Sequence, residues 1–151
     1  MRAADVMTAP AVTVPAATPV PTAAALLASH GFTAAPVLDG EGHLIGIVTE
    51  ADLARNRIRP EGWPEQGAGL PGTVGEVMTR APLAMRPEDD LADVVTLMLD
   101  APIRSVPIVD DGVVVGVVTR RDVLRVVARG ELTSAEVRAR RPLPTRSGGS
   151  R

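Results

Sequence analysis

The residues best placed to do chemistry are two threonine–aspartate pairs. Gly46-Ile47-Val48-Thr49-Glu50-Ala51-Asp52 and Gly116-Val117-Val118-Thr119-Arg120-Arg121-Asp122 share one pattern: glycine, two hydrophobic residues, threonine, two variable residues, aspartate. The apolar run reads as a strand and the residues after threonine as a helix, so each pair stands at a helix mouth. Free backbone N–H groups and the helix dipole favour an anion there. A threonine hydroxyl in that place can hydrogen-bond a phosphate. An ionised aspartate three residues later can accept both hydrogen bonds of a ribose diol. The glycine lets a backbone or a ligand approach closely. Thr-x-x-Asp is also a near match to a helix capping box. Capping and ligand binding are compatible, and recurrence behind the same glycine-bearing strand favours the ligand reading.

Other chemistries find no support. The chain has no cysteine, which excludes disulfides, thiolate zinc sites and cysteine nucleophiles. All 16 basic residues are arginine, so P-loop lysines and Schiff-base chemistry are excluded as well. The string Gly67-Ala68-Gly69-Leu70-Pro71-Gly72 matches a dinucleotide fingerprint only literally. It neither follows a strand nor opens a helix, and Pro71 interrupts it. His30 and His43 are the only histidines. His43 with Asp39 and Glu41 reads as a hairpin turn rather than a metal site, because the second copy has no counterpart. No general base stands beside a nucleophile, so the chain is not expected to be an enzyme. Phe32 and Trp63 are the only aromatic residues, too few for a base-stacking platform.

The elements that position the two pairs are themselves written twice. Val6-Met7-Thr8 recurs as Val77-Met78-Thr79, and Ala35-Pro36-Val37-Leu38 as Val106-Pro107-Ile108-Val109. One residue is lost at the turn between Asp39-Gly40-Glu41-Gly42-His43 and Asp110-Asp111-Gly112-Val113, where a duplication tolerates it. Each copy opens with an extended, proline-marked piece and continues with a helix. Leu91, Val94, Val95 and Met98 share one helical face; Ala23, Leu26, Leu27 and His30 hold the same places in the first copy, and Gly31 suits a helix stop. Glu88, Asp89 and Asp90 suit the start of the second copy's helix. Two strands come next, 35–38 with 43–48 and 106–109 with 113–118. The later strand of each pair is apolar on both faces and is expected to be buried on both. A second helix then starts at Thr49 and at Thr119.

The chain divides into a first copy over 1–58, a Pro/Gly-rich linker over 59–75, a second copy over 76–128 and a tail over 129–151. Trp63 reads as a linker residue packed over the core. The tail holds six arginines against two acids and reads as solvated and partly disordered, although such a tail could touch nucleic acid. A length of 151 residues suffices to bury roughly 70% of the unfolded surface without staples. The formal charge of −2 gives the whole molecule no nucleic-acid or membrane footprint. No stretch reaches 18 continuous apolar residues, and Met1-Arg2-Ala3-Ala4-Asp5 opens no apolar signal region. The expectation is a soluble, cytoplasmic protein without a membrane span.

Taken in order and in duplicate, the Val-Met-Thr starts, the Ala-Pro-Val-Leu and Val-Pro-Ile-Val strands and the Gly-h-h-Thr-x-x-Asp closures (h, hydrophobic) resemble tandem CBS domains, the cystathionine β-synthase domain paired as a Bateman module. The resemblance covers about residues 3–128. It implies an α/β (α+β) fold of two βαββα halves about a pseudo-two-fold axis, with two clefts between them. It implies adenosine-type ligands: AMP, ADP, ATP, S-adenosylmethionine or a dinucleotide. It also implies a stand-alone regulatory module that signals to an effector protein. Carried over, Asp52 and Asp122 would hold ribose hydroxyls, and Thr49 and Thr119 would meet phosphate or ribose oxygens. Thr33, Ala34, Ala35 and Pro36, with Arg104, Ser105, Val106 and Pro107, would line the base pockets; Thr13 and Ala84 would complete the walls. Arg104, Arg120 and Arg121 stand where the first copy has Thr33, Glu50 and Ala51, so the Asp122 cleft is expected to take the phosphorylated ligand. Apolar residues beyond one stripe, among them Leu97, Leu99, Leu124 and Val127, point with the family's habit to a homodimer.

Overall fold

A computed structural model describes residues 1–55, 72–80, 83–101 and 103–130. Trp63, the glycine string 67–71 and nearly all of the basic tail lie outside the described residues. In chain order the elements are α1 (Ala3–Val6), β1 (Val14–Pro15), α2 (Val20–His30), β2 (Ala34–Leu38), β3 (Leu44–Thr49) and α3 (Glu50–Ala54). The second half holds α4 (Val74–Val77), β4 (Thr79–Arg80), α5 (Leu91–Asp100), β5 (Ser105–Asp110), β6 (Val113–Thr119) and α6 (Arg120–Ala128). The βαββα plan therefore occurs twice, with α2 and α5 followed by the hairpins β2–β3 and β5–β6.

Both hairpins are antiparallel, and β1 joins β2 in parallel. Met85 bridges Ile108 in the same parallel sense in the second copy. The one-residue difference between the turns has a local cause. Asp111 and Gly112 both have positive φ, 49° and 78°, which makes the tight two-residue connection that Asp-Gly favours. Helix α5 is capped by the Asp90 carboxylate, which accepts from the Ala92 N–H at 2.9 Å. Its predicted face of Leu91, Val94, Val95 and Met98 is buried. In α2 the buried face is Val20, Ala23 and Leu27, while His30 is exposed and stacks on Phe32.

The described residues form two hydrophobic cores, and each takes its leading segment from the other copy. Ala3, Val6 and Met7 pack with Leu91, Val94, Val106, Ile108, Val118 and Val126. Val74, Val77 and Met78 pack with Val14, Val20, Leu27, Val37 and Val48. Backbone bonds fix both exchanges. The Thr8 N–H donates to the Val117 carbonyl at 2.8 Å, and the Val117 N–H returns a bond at 3.1 Å. On the other side β4 pairs antiparallel with β3, Thr79 opposite Ile47. The two sequence motifs explain each other at this crossing. A Cβ added to Gly46 would lie 2.5 Å from Met78 Sδ and 2.7 Å from the Thr79 carbonyl oxygen. One added to Gly116 would lie 2.5 Å from Met7 Sδ and 3.0 Å from the Thr8 carbonyl oxygen. The close approach that glycine permits is thus made by the Val-Met-Thr backbone of the opposite copy.

One expectation is corrected. β3 and β6 are not buried on both faces: Gly46, Val48, Gly116 and Val118 are buried, while Ile45, Ile47, Val115 and Val117 are half-buried. The alternation of a strand sends the first set into a core. Of the second set, Val117 lines a cavity.

Candidate functional site

The two Thr-x-x-Asp segments both form capping boxes. In the first copy the Thr49 N–H donates to Asp52 Oδ2 at 3.0 Å, and the Asp52 N–H donates to Thr49 Oγ1 at 3.2 Å. In the second, the Thr119 N–H donates to Asp122 Oδ2 at 2.8 Å, and the Asp122 N–H donates to Thr119 Oγ1 at 3.3 Å. The reciprocal bonds satisfy two N–H groups at the mouth of each helix and hold both carboxylates in place.

Beyond the box the two sites diverge. Asp122 is 4% exposed and is engaged from three further directions. The Thr119 hydroxyl donates to its Oδ2 at 3.0 Å, the Thr8 hydroxyl to its Oδ1 at 3.3 Å, and Arg125 Nη1 to Oδ1 at 3.4 Å. Asp52 is 8% exposed, and its one partner outside the box among the described residues is Arg55, with Nη2 at 3.8 Å. Thr8 belongs to the segment exchanged from the first copy, so the Asp122 carboxylate ties the two copies together.

Asp122 lies on the wall of a cavity of about 450 Å³ built from both copies. From the first copy come Thr8, Ala11, Val12, Gly31, Phe32, Thr33 and Ala34; from the second come Arg104, Ser105, Val117, Thr119, Arg120, Arg121, Asp122 and Arg125. The size is that of a small-molecule site. Of the residues singled out in the sequence, Thr33, Ala34, Arg104, Ser105, Thr119, Arg120, Arg121 and Asp122 meet here. Ala35 and Val106 do not; they are buried in the cores, one position along the strand from Ala34 and Ser105. Thr13 is half-buried next to the lining residues Ala11 and Val12, and Ala84 is exposed. Thr49 and Asp52 do not line this cavity. A smaller cavity of about 230 Å³ shares Asp122 and Arg125 and adds Met1, Asp5, Val6 and Arg129.

Thr8, Arg125, Ala11, Val12, Gly31 and Phe32 also line the cavity, although the sequence assigns none of them to a site. The Val-Met-Thr repeat marks Thr8 as structurally special but not as a neighbour of Asp122. Arg125 is legible by spacing, since a residue three positions after Asp122 on a helix shares its face.

The hairpin at His43 is a turn. The Asp39 carboxylate accepts from the backbone N–H groups of Glu41 at 2.8 Å and His43 at 2.9 Å. The bond from His43 holds the Asp39 carboxyl below its usual pKa, helped by Glu41 and by the His43 ring. Among the described residues no group of three His, Asp or Glu side chains is arranged to hold a metal ion. No helix among them is long and apolar enough to cross a membrane.

Comparison with known proteins bears on this geometry. The CBS domain family matches residues 3–59 and again 74–129. The chloroplastic CBS domain-containing protein CBSX1 of Arabidopsis thaliana is 33% identical over 122 residues, covering 66% of this chain; the chain spans about half, 52%, of that relative. The CBS domain pair of protein MJ0100, solved in complex with 5′-methylthioadenosine and S-adenosyl-L-methionine, superposes with a TM-score of 0.74 at 27% identity, covering 86% of this chain and 98% of that one. CBSX2 of Arabidopsis thaliana, solved in complex with AMP, superposes with a TM-score of 0.69 at 28% identity, covering 87% and 98%. The family matches the chain twice, once over each βαββα copy, and the chain belongs to the CBS domain family as a tandem pair.

Proposed function

We propose that this protein is a non-enzymatic regulatory module that takes an adenosine-containing ligand in the cavity at Asp122 and reports occupancy to an effector protein. The observation that carries the reading is the composition of that cavity. Its walls come from both copies, and at its edge stand a threonine and a buried aspartate at a helix mouth. A ligand there touches both copies at once, so it stabilises whichever relative pose of the two gives it better contacts. The ligands of the structural relatives, AMP, S-adenosylmethionine and 5′-methylthioadenosine, share the adenosine group and set the class to be tried.

The test is a thermal-shift screen with AMP, ADP, ATP, S-adenosylmethionine, NADH and short RNA or DNA. A ligand at 100 times its Kd adds about 2.7 kcal/mol of stability, an upward shift of roughly 5–10 °C for a chain this size. Asp122→Ala should abolish the shift. A second reading is favoured by one observation: both Thr-x-x-Asp pairs are already satisfied as helix caps, so the module could serve as an interaction scaffold with vacant pockets. No shift with any adenosine compound would select that reading. A shift with short RNA or DNA instead would select binding through the arginine-rich tail.

The same reading places the protein in the cytoplasm as a homodimer. Leu99, Leu124 and Val127 are exposed on α5 and α6, 57%, 66% and 50% respectively, which fits an apolar surface awaiting a second copy. A monomer mass at micromolar concentration would remove the dimer from the proposal.

A further inference from the structure

The arginines about the cavity are distributed in a way the adenosine reading does not require. The helix mouths of the two copies are held by the same backbone bond. In the first, the Glu50 N–H donates to the Thr33 carbonyl at 2.8 Å; in the second, the Arg120 N–H donates to the Arg104 carbonyl at 3.1 Å. One geometry therefore presents a threonine and a glutamate at one mouth and two arginines at the other. Arg121 adds a third where the first copy has Ala51. All three line the Asp122 cavity and are exposed at its rim. Among the described residues none of the three has an acidic partner. Among the described residues the only carboxylate in the lining is Asp122, and Arg125 already faces it. Three arginines without an acidic partner among the described residues thus line the cavity beside the N-terminal end of the nine-residue helix α6, whose dipole has the same sign of preference.

We propose that this cavity selects its adenosine ligand by charge: it takes nucleotides carrying phosphate, disfavours the sulfonium cation of S-adenosylmethionine, and does so through Arg104, Arg120 and Arg121 as specificity-determining residues. The proposal rests on the entry of an adenosine compound into the cavity, as the proposed function has it. A phosphate monoester brings about two negative charges and three acceptor oxygens, which planar guanidinium forks match. S-adenosylmethionine carries a sulfonium and an ammonium against one carboxylate, a net positive charge, so three arginines favour it far less than a phosphate and repel its sulfonium. Uncharged 5′-methylthioadenosine gains nothing from the arginines and serves as the neutral reference.

Isothermal titration of the full chain with ATP, AMP, 5′-methylthioadenosine and S-adenosylmethionine tests it, at low and at high salt. The expected order is ATP, then AMP, then the thioether, then the sulfonium, with AMP at least about tenfold tighter than the thioether. The preference should shrink with salt because the arginines are exposed. In an Arg120→Gln/Arg121→Gln variant AMP should fall to within about threefold of 5′-methylthioadenosine, whose own affinity stays unchanged. The variant's unliganded melting temperature should also stay unchanged. S-adenosylmethionine binding as tightly as AMP overturns the proposal. So does a variant that weakens AMP and the thioether by the same factor. In both cases the adenosine reading survives, because adenosine compounds still bind. Failure of every adenosine compound to bind overturns both readings together.

Discussion

The two helix mouths are built on one plan and finished differently. At Thr49 and Asp52 the box closes on itself: two backbone bonds, one distant arginine and a five-residue helix behind it. At Thr119 and Asp122 the same box is drawn into a larger network that includes Thr8 of the opposite copy, Arg125 and a nine-residue helix. The backbone requires the box; the additions are properties of side chains that the backbone leaves open. The comparison separates what a duplicated fold must keep from what one copy has acquired. The capping box holds the carboxylate, and the side chains around it decide what that carboxylate can meet.

The largest effects should come from the crossing points. Gly46→Ala should destabilise by about 3 kcal/mol, because its methyl group meets the Thr79 backbone oxygen at 2.7 Å as well as a methionine side chain. Gly116→Ala should cost about 1–2 kcal/mol, since its nearest obstacles belong to flexible Met7 and the Thr8 oxygen is 3.0 Å away. Urea melts of the two variants read the difference directly. Equal losses would mean that the two crossings are equally tight.

Next come the aspartates. Asp122→Ala removes the acceptor for two Thr119 bonds, Thr8 and Arg125, and should cost about 2 kcal/mol; Asp52→Ala should cost about 1 kcal/mol. Only the former should abolish the ligand-induced thermal shift. Equal loss of ligand response in both variants would break the asymmetry argued for the two sites.

A smaller effect is expected at Thr8→Val, which keeps shape and deletes the hydroxyl. It should cost at most about 1 kcal/mol and speed amide exchange in residues 1–8, whereas Thr79→Val should leave both measures unchanged. The smallest is Asp39→Asn, confined to one hairpin of the first copy. The folded Asp39 carboxyl is depressed, so its contribution is present above the ordinary carboxylate pKa of about 4 and is lost as pH falls through the folded value. The variant's slight drop in Tm at pH 7 should therefore vanish near pH 2.

Much of this molecule was legible in its sequence because the information was local or repeated. The α5 face, the Asp90 cap, the Asp-Gly turn and the two boxes follow from spacing within a few residues. The exchange of leading segments was not legible. The Val-Met-Thr repeat marks Val6 and Met7 but does not say which core receives them. Glycine at 46 and 116 announced a close neighbour without naming it. The site was partly legible for a similar reason. Thr119 and Asp122 come from one motif, whereas Thr8 reaches them across more than a hundred residues of chain. Ala35 and Val106 were grouped with their neighbours as pocket residues, yet a strand turns alternate side chains to opposite faces.

The traded segments also constrain how such a chain can be divided. Cut anywhere between residues 56 and 71, each fragment would carry a leading arm that fits only the piece it has lost, and would lack the arm its own interior requires. A product of half this length could complete itself only by meeting a second copy and swapping arms with it. In this chain that mutual completion happens within one polypeptide, which frees each helix mouth to change without its counterpart having to follow.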